Sequence, residues 1–385
     1  MSEKKINLLI NITPLSIQRS GIGNYIENLV SLLNNSGLFK LTFLKNGKRT
    51  RCKDFTHNNS NSILYQIKKK IKKSGVDSDW LRNLYFKLKE TLTQTGSKFS
   101  SIPNELYHET HYYPFNVSCP TITTVYDLSM MLYPQLHEVS KILEFNRLSS
   151  RILNYSDRLH TISHSVKNEI IKYSNYDPEK IDVIYPVISS IYRKIPELEV
   201  NRFKKKAGII SKYILHVGTL EPRKNIQNLL RAFELIQRKY KWDGKLMLIG
   251  EKGWDYEKIF DTARNLNIYK DVKFKDYIPL SELPFYYCGA EIFTYSSIYE
   301  GFGMPCLEAM RCNAKIAVSN IPSLRESTSD QALYYDPNDP VDIAEKIFEG
   351  IEQKRRLYNE NPFFSNGAIL EKILTSYNEL VLNRD

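Results

Sequence analysis

Apolar residues recur along this chain in two alternating rhythms. Short apolar runs read as buried strands: INLLINIT (6–13), ELYHETH (105–111), TITTVYD (121–127), RLHTIS (158–163) and IDVIYPVI (181–188). Between them lie helix-spaced segments such as GIGNYIENLVSLLNNSG (21–37), which stops at Gly37, and SHSVKNEIIKYS (163–174). The rhythm then restarts. YILHVGT, KLMLIG, VKFKDYI and EIFTYSS read as strands; NIQNLLRAFELIQRKY, DYEKIFDTARNLN and SELPFYYCGA read as helices between them. Strands alternating with helices predict parallel sheets covered on both faces. Two such series predict an α/β chain of two doubly wound, Rossmann-like domains facing across a cleft. The expected bounds are 1–200 and 201–365, with an amphipathic helix at 366–385 crossing back to the N-terminal domain. The join falls in the polar stretch 189–211, which lacks a strong apolar period. A ligand cleft is expected between the domains, at the C-terminal ends of the strands.

The 385-residue length suits two domains. No run of about 18 apolar residues occurs, so a spanning helix is not expected. The apolar N-terminal stretch is interrupted by Asn7 and Asn11 and reads as a first strand rather than a signal peptide. Cys52, Cys119, Cys288, Cys306 and Cys312 form no CxxC pair, which argues against a zinc site or disulfide framework and for a reducing cytoplasm. The net charge is +11, with the densest run in QIKKKIKKSG at 66–75. Ile63, Ile67 and Ile71 share a helix face there. That face suits an interfacial helix at an anionic membrane surface as well as an ordinary solvated helix. No recognition motif accompanies the charge, so nucleic acid is not an expected partner.

The richest chemistry lies in EGFGMPCLE, 300–308. A strand, a glycine turn and a helix with Pro305 at its first position place backbone amides toward an anion. Glu300 and Glu308 bracket that turn and can each accept hydrogen bonds from hydroxyl pairs. Glu308 also fits a plain helix-start acid, whereas Glu300 precedes the turn. Arg223 and Lys224, in VGTLEPRKN, stand beside a helix start where the dipole disfavours cations. That placement suits a diphosphate better than a structural role. Gly21 and Gly23 form a glycine turn after the first strand, short of a full dinucleotide fingerprint. His108, His111, Asp127 and His164 fall at strand ends and can orient or deprotonate an acceptor hydroxyl. Asp77 and Asp79 form a DSD triplet that reads as a helix cap, and no metal constellation is expected.

With these motifs in order, the chain resembles a retaining glycosyltransferase of family 4, of the GT-B fold. The likeness is strongest from about 213 to 340, through YILHVGTLEPRKN, LMLIG, EGFGMPCLE, AVSNIPSLRE and ALYYDPNDP. It is looser through GIGNY, ELYHETHYYP, TTVYDLSMMLYP and RLHTISHSVKNEI. The resemblance implies that Arg223 and Lys224 hold the nucleotide diphosphate and Glu300 binds donor-sugar hydroxyls. Backbone at Phe302, Gly303 and Met304 meets sugar and phosphate, and Glu308 takes the ribose hydroxyls. Tyr277 and Ile278 flank the base, Gly218 and Thr219 line the donor site, and Gly21 and Gly23 border the diphosphate from the other domain. Asp127 lies on the acceptor side. The family pattern has His-Asp where this chain has Tyr126-Asp127, with His111 as the candidate substitute, and often an arginine where it has Thr219.

The GTLEPRKN subgroup resembles mannosyltransferases of surface-polysaccharide assembly. The implied activity is metal-independent, retaining hexosyl transfer. No cofactor is implied beyond a nucleotide-sugar co-substrate: GDP-mannose first, a UDP-sugar second. The implied acceptor is a glycan or lipid-linked glycan at the inner face of the cell membrane. A sugar-nucleotide epimerase of the same plan, a nicotinamide dehydrogenase and an inactive sugar-nucleotide-binding protein are the competing readings.

Overall fold

Thirteen strands sort into two sheets among the residues described by the computed structural model, which are 5–16, 21–45, 48–50, 105–276, 278–355 and 357–382. The lysine-rich run at 66–75, Asp77, Asp79, Cys52 and Tyr277 lie outside the described residues. The first sheet contains β1 (Ile6–Asn11), β2 (Phe39–Lys45), β3 (Lys48–Thr50), β4 (Glu105–Glu109), β5 (Thr121–Val125), β6 (Arg158–Thr161) and β7 (Ile181–Val183). Its order is β3-β2-β1-β4-β5-β6-β7, parallel except for β3. β4 and β5 are buried along their whole length, as expected of strands covered on both faces.

The second sheet contains β8 (Tyr213–Val217), β9 (Lys245–Ile249), β10 (Val272–Lys275), β11 (Ile292–Tyr295), β12 (Ile316–Ser319) and β13 (Leu333–Tyr335). Its order is β10-β9-β8-β11-β12-β13, parallel throughout. In each sheet the chain winds outward in both directions from one central pair, β1/β4 and β8/β11. The ends of those pairs are where doubly wound sheets bind ligands.

Four strands escape the apolar rhythm, and one of them, β3, has no apolar residue at all. β2 interleaves lysines with its buried Phe39 and Phe43, and β12 and β13 are only four and three residues long. The join at 189–211 also differs from the expected featureless linker, because Glu197–Lys206 is a helix. Only Val200 of it is buried, so an apolar period never shows. Glu197 and Glu199 in the first turn and Lys204–Lys206 in the last suit the helix dipole instead.

The helix Asn366–Leu382 returns to the first sheet. Tyr377 Oη lies 2.7 Å from His108 Nδ1, and Ser376 Oγ lies 2.8 Å from His160 Nε2. Ser376 also donates to Asp182 at 2.7 Å. His108, offered by the sequence as an acceptor-site candidate, is thus fully buried beneath this helix, its Nε2 bonded to Thr124 at 2.8 Å. One apolar cluster runs through both domains, from Leu8 and Ile162 to Phe302 and Leu324.

Candidate active site

β8 and β11 end side by side, and the loops that follow them build a buried ionic cluster. Pro222–Lys224 makes a single 3-10 turn, and Asn225 takes a left-handed conformation (φ 54°) before the helix Ile226–Tyr240. That break separates the two cations from the helix axis and turns them toward Glu300. Arg223 Nη1 donates to Glu300 Oε2 (2.9 Å) and to the Tyr299 carbonyl (3.1 Å), while Nη2 donates to Glu221 (2.9 Å). Lys224 Nζ donates to Glu300 Oε1 at 2.5 Å and to Tyr295 Oη at 2.6 Å. Burial alone would raise the Glu300 pKa, but the charges of Arg223 and Lys224 outweigh it and hold the carboxyl at about 2. Burial and the neighbouring guanidinium lower Lys224 from its ordinary value. Arg223 stays a cation because Glu300, Glu221 and Asp127 outweigh its desolvation.

Beneath this cluster His216 stacks on Tyr295, ring centroids 5.4 Å apart. It is fully buried, and neither ring nitrogen has a hydrogen-bond partner. Burial, and then the Lys224 charge, push its pKa down to about 3, so the ring is neutral beside Lys224. Its signal in the sequence is no more than one polar residue in the run YILHV, which nothing there marks as more than part of a strand. Gly218 lies against it: a Cβ there would sit 3.5 Å from His216 Nε2. A Cβ on Gly253 would come 2.7 Å from Thr219 Cγ2, which places Thr219 beside the neighbouring loop.

After β11 the chain turns through Glu300–Gly303 into the helix Met304–Arg311. Gly303 has φ +88°, and a Cβ would meet Leu324 Cδ2 at 2.3 Å, so only glycine makes this turn. No side chain caps the helix start. Its N-terminal partial charge is therefore open to an anion. Met304 faces Gly21 across the gap, where a Gly21 Cβ would lie 3.5 Å from Met304 Cε. Gly21 and Gly23 are not a turn but the first and third residues of the helix Gly21–Ser36, and Gly23 is buried. Phe302 is buried, its ring against Tyr185 and Phe364. One turn along, Glu308 accepts from Tyr287 Oη at 2.8 Å. Burial pushes Glu308 up to about 7, against hydrogen bonds from Tyr287 and Tyr192. Ile278 is half-buried against the core.

The facing wall comes from the ends of β4 and β5. Glu109 accepts from Asn11 Nδ2 (2.8 and 2.9 Å), Tyr107 Oη (2.5 Å) and the His111 amide (2.6 Å). Burial raises it to about 7. The His111 ring is half-buried beside Tyr112 and Tyr113. Tyr126, standing where the resembled family has histidine, is a core residue. Its ring lies edge-on to Tyr25 and Tyr112, and its hydroxyl donates to the Thr110 carbonyl at 2.8 Å. Asp127 Oδ1 accepts from the Ser129 amide (2.9 Å) and hydroxyl (2.6 Å). Its charge reaches Arg223 across the gap. Asp127 thus faces the Arg223–Lys224–Glu300 cluster electrostatically, and Gly21 and Met304 meet where the same two domains approach. His164 stands exposed at a helix start, its ring 6.2 Å from Tyr185. No cluster of side chains suited to a metal occurs among the described residues.

Residues 199–361 match the family described as glycosyl transferases group 1. The chain is 30% identical over 248 residues to O-antigen chain mannosyltransferase B of Escherichia coli, covering 64% of this chain and 65% of that one. It is 32% identical over 232 residues to O-antigen chain mannosyltransferase RfbU of Salmonella typhimurium, covering 60% of each. The matches thus span just under two thirds of these relatives. Among solved structures it resembles WaaG, a glycosyltransferase involved in lipopolysaccharide biosynthesis, with TM-score 0.65 and 11% identity over 98% of each chain. It also resembles sucrose-phosphate synthase from Thermosynechococcus elongatus, with TM-score 0.62 and 16% identity over 99% of this chain and 97% of that one. The fold is GT-B.

Proposed function

We propose that this chain is a retaining glycosyltransferase that moves a hexose from a nucleotide sugar to a hydroxyl of a glycan acceptor. Mannose from GDP-mannose is the favoured donor. The observation that carries the reading is the Glu300 carboxylate clasped by Arg223 and Lys224 beside the uncapped start of the helix Met304–Arg311. Paired cations and open helix amides suit a diphosphate, and an ionised carboxylate next to them suits sugar hydroxyls. The similarity to two O-antigen chain mannosyltransferases supports the choice of mannose and a surface-polysaccharide acceptor.

In this reading Arg223, Lys224 and the helix start stabilise the charge that develops on the leaving diphosphate. The diphosphate shares the two cations with Glu300, which accepts hydrogen bonds from the sugar. The leaving oxygen itself takes the acceptor proton on the same face of the sugar, so configuration is retained without a protein nucleophile. Asp127 on the opposite wall orients the acceptor. With Tyr126 tied into the core, no imidazole stands at its position. Closure of the cleft excludes water and limits donor hydrolysis. No helix among the described residues is long and apolar enough to cross a membrane. Peripheral docking at the cytoplasmic face, where a lipid-linked acceptor is presented, fits that and the net charge of +11.

The test is a thermal-shift screen of GDP-, UDP- and ADP-sugars, followed by transfer to a lipid-linked glycan with the product's anomeric configuration read by NMR. A native-state ligand raises the melting temperature. Change of the donor alone, without transfer, would instead identify an epimerase. Binding with no turnover on any acceptor would identify a sugar-nucleotide-binding protein.

A further inference from the structure

The segment that carries Glu300 is held from the opposite domain, chiefly by one helix, His164–Tyr173. Glu326, on the C-terminal domain's helix Pro322–Thr328, reaches across to that helix start. Its carboxylate accepts from the His164 amide at 2.7 Å, the Ser165 amide at 3.1 Å and the Tyr185 hydroxyl at 2.9 Å. First-turn amides have no partner within a helix, and an anion there is favoured by the dipole. The helix's own cap, Ser163, accepts from the Val166 amide at 3.1 Å and donates its hydroxyl to the Gly301 carbonyl at 2.6 Å. Further along, Glu169 accepts from the Tyr299 hydroxyl at 2.5 Å, and that hydroxyl accepts from the Leu128 amide at 3.0 Å. Both residues flanking Glu300, Tyr299 and Gly301, are therefore bonded to the other domain.

We propose that Glu326 is a positioning residue: by clasping the start of the helix His164–Tyr173 from across the cleft, it latches the domains and fixes the Tyr299–Gly301 segment, hence Glu300, in its working place. The kinetic part rests on the donor-site reading above; the structural part does not. Glu326 bonds to the His164 and Ser165 amides and to Tyr185, not to Arg223, Lys224 or Glu300. Its loss leaves Arg223 and Lys224 in place for the diphosphate, so the latch acts on turnover and not on nucleotide capture.

The experiment compares the full chain with Glu326→Ala and with Glu326→Gln, which keeps one acceptor oxygen and guards against a misfolded alanine variant. Amide hydrogen exchange over 163–169, GDP and UDP affinity by calorimetry, and transfer kinetics are measured on each. The latch predicts at least tenfold faster exchange of the His164 and Ser165 amides in Glu326→Ala, with Glu326→Gln between. It also predicts nucleotide affinity within about twofold of the parent and kcat lowered at least tenfold. Unchanged exchange overturns the latch, and faster exchange with unchanged kcat overturns its link to Glu300. Equal losses of kcat and nucleotide affinity reduce Glu326 to general stability. If the parent binds neither nucleotide nor sugar nucleotide, the donor reading fails, and the exchange measurement still decides the latch.

Discussion

Lys224 Nζ lies 2.5 Å from Glu300 Oε1, with the two side chains only 7% and 8% exposed. A buried pair of this kind is costly to break, because the surviving charge stays desolvated, typically by about 3–5 kcal/mol. Glu300→Ala leaves Arg223 and Lys224 facing each other. Lys224→Ala leaves Glu300 still paired with Arg223. Urea unfolding is therefore expected to show the larger loss, about 3 kcal/mol or more, in Glu300→Ala. Each variant is also expected to cut transfer at least about a hundredfold, the scale of one lost charge-stabilising group. Near-parental turnover in both folded variants would remove this cluster from the chemistry.

Gly301 makes a second, independent test of the interdomain contact. A Cβ at Gly301 would lie 2.0 Å from the Tyr126 carbonyl oxygen and 3.2 Å from Ile162 Cδ1. Backbone cannot yield that much without the domains separating. Gly301→Ala is expected to cost about 1–3 kcal/mol of stability, the range for overpacking, and to lower kcat more than nucleotide affinity. Small-angle scattering should show a more open particle. An unchanged scattering profile with parental kinetics would mean that the two walls do not need this close approach.

The geometry around Glu300 was readable in the sequence because its parts are locally contiguous: PRKN follows β8, and EGFGMPCLE joins β11 to a helix. Glycine, proline and acid in fixed order state a local geometry. Contacts between distant segments carry no such mark. Ser163 and Gly301 are 138 residues apart, and Glu326 and His164 are 162 apart. The same limit explains His108, which shares a strand end with His111 yet is claimed by Tyr377 from the far end of the chain. Tyr126 could be seen to depart from the family pattern. That it became part of the core depended on Tyr25 and Tyr112 packing round it. β12 and β13 were too short for periodicity to register, though the motifs either side of them were plain.

His160 links acid stability to the docked C-terminal helix. Its ring is buried, stacks on Tyr377 and lies edge-on to His108 at 5.2 Å, with Asp182 and Arg158 as the charged neighbours. Burial lowers its pKa to about 4, Asp182 opposes the shift, and Arg158 adds to it. An unfolded histidine takes its proton near pH 6.5. Between these values the unfolded chain binds a proton that the folded chain refuses. The contribution is thus present above pH 6.5 and lost as pH falls toward 4, by roughly 3 kcal/mol. Glutamine keeps a nitrogen donor for Ser376 and does not titrate. Unfolding free energies of His160→Gln should fall less than those of the parent across that window. Parallel pH curves would show that His160 is protonated in the folded state.

On the proposed donor-site reading, Glu308 is expected to make donor capture depend on pH. Burial sets its pKa near 7, above the ordinary carboxyl range, so it changes charge where the protein is assayed. As a carboxylate it accepts hydrogen bonds at both oxygens; once protonated it must donate one. A ribose diol bound at both oxygens therefore needs the ionised form. From pH 6 to pH 8 the ionised fraction rises from about a tenth to about nine tenths. A nucleotide sugar carries no group that titrates in this window, so the slope reports the protein. Donor affinity is expected to rise several-fold, up to about tenfold, over these two pH units. Glu308→Gln should bind more weakly at pH 8 and lose the slope. Calorimetric titrations of GDP-mannose at pH 6, 7 and 8 on both proteins make the check. A parent whose affinity is flat with pH, or a variant that keeps the slope, would take the ribose away from Glu308 and leave it a buried partner of Tyr287.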